Sequence, residues 1–217
     1  MAVTISGSTG IASVDGSAGS PGSRGTDANS GVFYSADAIK FSTGGTERAV
    51  IDNNGLSATG HVLQVVQAQK TDTLTSTSTS WADITGLTAS ITPSSTSNKI
   101  LIMANVHANA SSRYVGYRFL RDSTAVGLST GATGNHTNLT FHPGTNQDES
   151  GYAFVQRNSS MTWLDSPSST SSLDYALQVK QYYGSGTLYL NRIVTNAENL
   201  AYVSTTVSTF TLMEIGG

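Results

Sequence analysis

The 217-residue chain contains no cysteine, so no disulfide can staple it and no thiolate can bind metal or attack a substrate. Charge is scarce as well. Asp, Glu, Lys and Arg together make up 12% of the residues, about half the usual share for a soluble domain. The 11 Lys and Arg are dispersed and the formal charge is −3, which gives no clustered basic footprint for a phosphate backbone. No run approaches the ~20 consecutive apolar residues of a membrane-spanning helix. The opening MAVTISGSTG has neither a basic nor an apolar region, so no secretory signal is expected.

In place of charge stand Ser and Thr, over a quarter of the chain, with 22 Gly. Ser and Gly favour caps and turns over helix interiors, whereas Thr, Val, Ile and Tyr fit a pleated surface. The composition predicts many short strands joined by tight turns.

Composition shifts near Gly60. Before it, large apolar residues are sparse and Gly16–Gly31 reads as turns or irregular chain. Short strand-like runs follow at Gly31–Tyr34, Ala38–Phe41 and Arg48–Ile51, separated by turn signals at Thr43–Gly45 and Asn53–Gly55. Alone, residues 1–60 hold too little apolar surface to offset the ordering cost of their backbone, about 1–2 kcal/mol per residue. The segment is either disordered or folds by wrapping with copies of itself, and its repeated strands favour wrapping.

Beyond His61 the alternation is clear. In Asn98–Ala110, Ile100, Ile102, Ala104, Val106 and Ala108 share one face. Leu101 and Met103 begin the other, followed by Asn105, His107 and Asn109. A second face that is apolar at one end suits a partner subunit, which makes Leu101 and Met103 candidate trimer-interface residues. Leu173–Val179 alternates likewise. Other expected strands are Val62–Gln69, Thr88–Thr92, Arg113–Arg121, Gly151–Gln156, Met161–Leu164, Thr187–Arg192 and Tyr202–Ile215. This spacing suggests a sandwich or jelly roll. Thr71–Ser80 reads as a solvated edge or loop, and Ser129–Ser150 as a long loop suited to contact.

Chemistry has few footholds. Gly127–Gly131 matches GxSxG, but the nucleophile elbow needs a helix after it and Ala132–Asn135 cannot start one. Asp27–Gly31 lacks the terminal Glu of a calcium loop. His136 and His142 share a loop, and His107 could serve a metal on an axis, yet ordinary surface histidines are the simpler reading. Asp148, Glu149, Asp165 and Asp174 could supply a glycosidase pair only if two of them met in space. No catalytic residue, metal or cofactor is therefore expected. Polar amides and an exposed aromatic suit a carbohydrate. The candidate receptor-contact residues are accordingly His136, Asn138, Asn146, Gln147, Asp148 and Trp163, with Tyr114 and Tyr117 on opposite faces of one strand.

Asp15–Pro21, Arg24–Phe33, Ala38–Arg48 and Ile51–Gly55 form an ordered series of phrases over about 40 residues. This series resembles a shaft-associated segment of tail fibres from marine and cyanobacterial phages, while residues 60–217 are similar in style to trimeric phage knobs of jelly-roll type. The resemblance implies an all-β trimer: an intertwined N-terminal β stem at 1–60 and a jelly-roll or β-sandwich knob at 61–217. It implies a non-enzymatic virion protein on the tail or head surface. Its expected partners are copies of itself, other virion proteins through the N-terminal part, and a host surface glycan or protein, with no nucleic acid and no membrane insertion. A capsid decoration protein and a glycan-degrading tailspike stay open as alternatives.

Overall fold

A computed structural model describes residues 15–53, 55–110, 114–143, 156–182, 186–194, 201 and 203–217. Among these the protein is all-β, with no helix. The chain divides into two compact units: residues 1–63 with 216–217, and residues 64–215.

In the first unit β1 (Gly16–Ser17) and β2 (Ser20–Pro21) form a small hairpin. β3 (Ser23–Arg24), β4 (Gly31–Ser35), β5 (Ala38–Thr43), β6 (Thr46–Asp52) and β7 (Gly55–Ala58) then form an antiparallel meander in sequence order. The three apolar runs read from the sequence are β4, β5 and β6, each flanked by turn residues that let the chain reverse. Gly44 and Gly45, both at positive φ, make the β5–β6 turn.

The second unit pairs two sheets. One runs β10 (Ala82–Ile91), β15 (Leu173–Gln181), β12 (Val115–Arg121), β13 (Thr124–Val126). The other centres on β11 (Lys99–Ala110). On one side β11 pairs β14 (Arg157–Asp165); on the other it pairs β17 (Ser208–Ile215) and then β16 (Leu188–Leu190). β8 (Val62–Lys70) extends that sheet beyond β17, and β9 (Leu74–Ser76) beyond β16. The sheets share one core, in which Ile84, Leu87, Tyr117, Phe119 and Leu177 of the first meet Ile100, Ile102, Val106, Phe210 and Leu212 of the second. Phe119 and Phe210 lie 6.1 Å apart between ring centroids, tilted at 56°.

β11 follows its alternation: Ile100 to Ala108 are buried at even positions, while Leu101, Met103, Asn105 and His107 are half-buried on the outer face. β10 does not follow so simply. Its register against β15 jumps between Asp83 and Thr88, and this bulge sends both Ile84 and Leu87 into the core. A period of two breaks there, so the strand starts six residues before the expected Thr88. Thr71–Ser80, expected as edge or loop, contributes the short strand β9, held by β16. The expected strand Gly151–Gln156 lies outside the described residues except for Gln156.

Candidate functional site

The loop after β13 begins at Gly127, whose φ of 67° turns the chain out of the sheet. It returns where Tyr117 N–H donates to Phe141 O at 2.9 Å and Phe141 N–H to Tyr117 O at 3.2 Å. Between these ends the loop clasps itself. Asn138 Oδ1 accepts from Ala132 N at 3.0 Å and Ser129 Oγ at 3.3 Å, and Ser129 N–H donates to Leu139 O at 3.1 Å. Asn138 therefore spends its carbonyl on shaping the loop. His136 is exposed nearby in sequence, its N–H bonded to Thr133 O. The Ser129 hydroxyl meets an amide oxygen rather than a base, and the chain continues without a helix, so the GxSxG match builds no nucleophile elbow.

Trp163 reaches the root of this loop. It stands in register with Ile102 on β14, and its ring lies across Gly127, where an added Cβ would sit 2.8 Å from Trp163 Cγ. The indole stays 41% exposed. The structure thus brings Trp163 beside the start of the loop that carries His136 and Asn138. Asn146, Gln147 and Asp148 lie outside the described residues. Tyr117 is buried and Tyr114 is exposed, on opposite faces as the spacing requires.

A second concave surface was missed from the sequence. On the outer face of the four-stranded sheet, an open groove of about 460 Å³ is lined by Asp83, Thr88, Ser90, Leu120, Asp174 and Ala176, among others. Its carboxylates are braced. Gln178 Nε2 donates to Asp83 Oδ1 at 2.8 Å, and Ser90 Oγ donates to Asp174 Oδ1 at 2.5 Å. Arg118 links the same row, donating to Gln178 Oε1 at 2.7 Å while its guanidinium lies 4.3 Å from the Trp81 ring centre. Such a surface can accept hydrogen bonds from hydroxyl-rich ligands. Its one legible signal is Ala176, a small residue at an outward position between Asp174 and Gln178.

On the outer face of the larger sheet, Leu101 is in register with Leu164 and Met213, and Met103 with Thr162 and Thr211. Met213, Leu101 and Leu164 therefore form one apolar row across three strands, and Gln64 and Gln67 of the neighbouring β8, which flank exposed Val65, bond Glu214 and Thr211 of β17. Beyond Met103 the face turns polar, with Ser160 Oγ donating to Asn105 Oδ1.

Two buried carboxylates serve the scaffold. Asp165 accepts from Arg121 Nη1 at 2.7 Å and Tyr175 Oη at 2.8 Å, tying β14 to the opposite sheet. Burial and this bond push the Tyr175 phenol well above its ordinary range. For Arg121, burial opposes the charge but Asp165 outweighs it, so the guanidinium pKa is raised. Glu214 is buried, and among the described residues no ion pair reaches it. Burial disfavours its charge, yet donations from Gln64, Asn98 and Ser94 prevail and hold the carboxyl below the usual range. Among the described residues no group of three or more His, Cys, Asp or Glu could hold a metal ion.

Compared with known proteins, the chain matches no family model and no curated protein.

Proposed function

We propose that the protein is a short trimeric fibre on the virion of a tailed bacteriophage. Residues 1–60 attach it to the particle and form a stem, and residues 61–217 form a jelly-roll-like β-sandwich knob that touches the host surface. It acts by binding, without catalysis or a cofactor. The observation that carries this reading is the apolar surface left open in both units of a chain poor in charge. Ile39, Phe41, Ile51 and Leu56 in the first unit, and Val65 and Leu164 in the second, are all exposed. A free monomer would be liable to aggregate through such faces, whereas an assembling protein uses them. The ordered phrases that resemble a fibre shaft segment support the same reading.

Host contact falls to the loop rooted at Gly127 and to Trp163, whose exposed aromatic side chain suits stacking on a sugar or anchoring in a protein. The test is labelling of phage particles with antibody against this chain, together with adsorption in the presence of excess purified protein. Labelled fibres and reduced adsorption are expected. Labelled heads with unchanged adsorption would make it a decoration protein, and release of reducing sugar from host polysaccharide would make it an enzyme. In the same assay Trp163→Ala should weaken inhibition about tenfold, the loss of roughly 1–2 kcal/mol of contact. Retention of full inhibition would remove Trp163 from the contact.

A further inference from the structure

The meander in the first unit has two unlike faces. Cross-strand register places Tyr34, Ile39, Ile51 and Leu56 in one row, and Val32, Phe41, Ala49 and Ala58 in the next. All eight fall on one face, and none is charged. The opposite face carries Phe33, Lys40 and Val50, with Lys40 Nζ paired to Glu47 Oε2 at 3.1 Å. The β1–β2 hairpin packs against β4, and Phe33 is buried at 6%. Among the described residues of this unit, Phe33 is the only large apolar side chain so buried. The rows on the other face stay open: Ile39, Phe41, Ile51 and Leu56 are 38% to 50% exposed in the whole chain.

We propose that this apolar face is where copies of the chain meet, so that the meander is the assembly element of the stem. The sheet buries too little by itself to stay ordered, so whatever covers it must be present whenever the chain is made. A further copy meets that condition. Identical faces meeting around a symmetry axis place like groups near like, which an uncharged face tolerates and a charged one does not. A row of four strands spans about 14 Å, and packed sheets stand about 10 Å apart, so the side chains of these rows fill the gap. The number of copies, three, rests on the fibre reading; the choice of face does not.

The absence of cysteine makes the test direct, because any thiol introduced singly reports only on contacts between chains. Full-length Ile51→Cys and Leu56→Cys would be treated separately with a bismaleimide of about 10 Å reach. Ser57→Cys, exposed and in register with Val50 on the opposite face, is the control. At least tenfold more linked chains are expected from Ile51→Cys or Leu56→Cys than from the control. Ile51→Asp should lower the mass in solution from three chains to one while the melting transition of residues 64–215 persists. If wild type is trimeric but both faces link equally, or Ile51→Asp stays trimeric, the face is wrong and the fibre reading survives. A wild-type mass of one chain would overturn both.

Discussion

Asn191 shows how much one side chain can hold. It is fully buried at a positive φ of 57°, a conformation Asn tolerates better than most residues. Its Nδ2 donates to Lys70 O at 2.7 Å and Asp72 O at 2.9 Å, while its Oδ1 accepts from Ser208 Oγ at 2.6 Å. Its N–H reaches His107 O at 2.8 Å, so β8, β11 and β17 are joined at one point. Asn191→Ala strands two carbonyls and a hydroxyl, and should cost about 2–4 kcal/mol in chemical denaturation. Asn191→Gly, which relieves the backbone alone, should recover only a small part. Glu214 sets a pH dependence. Because its folded pKa is depressed, its ionisation stabilises the fold above the unfolded value of about 4.3. That stability is lost as pH falls through the lower folded value. Glu214→Gln should therefore melt lower at pH 7, with the gap to wild type closing as the pH drops towards 3. A gap independent of pH would remove Glu214 from the acid response.

At the scale of elements, Gly127 fixes how β13 hands over to the loop. Gly127→Ala would force a Cβ to within 2.8 Å of Trp163 Cγ at a φ of 67°. A loss of about 1–3 kcal/mol and a red-shifted indole emission are expected, since the ring must leave its seat. An unchanged emission spectrum would contradict the placement of Trp163. The strands legible in the sequence, such as β4, β5, β6, β8, β11 and β15, are those in which apolar residues alternate or cluster between turn residues. β11 was clearest because Ile100 through Ala108 obey a strict period of two. β10 was only half legible, because its register shift between Asp83 and Thr88 breaks that period and leaves only Thr88–Thr92 as an expected strand. β7 and β9 carry one Leu each, too little pattern for periodicity to register. Apart from the small Ala176, the groove leaves no mark in the sequence, because it depends on which residues stand abreast on β10, β15 and β12, a matter of register. The sequence marks Trp163 as an aromatic suited to stacking, but its seat on Gly127 follows only from the three-dimensional placement of β14 on β11.

For the molecule as a whole, the two units differ in how well their apolar surface is covered. The second unit has a shared core of two sheets and can account for its own order. Among its described residues the first unit buries little apart from Phe33 and leaves two apolar rows open. Scarce charge and missing cysteine point the same way, since no disulfide can compensate and a surface ion pair such as Lys40–Glu47 contributes little. In the proposed fibre, assembly would supply what a single chain lacks and would present several copies of the Trp163 region together, which raises avidity for a repetitive surface. The most direct test is the absolute mass of the full-length protein by light scattering across a hundredfold range of concentration. A mass near three times 22.6 kDa that holds on dilution is the predicted result. A monodisperse species of 22.6 kDa would contradict the account.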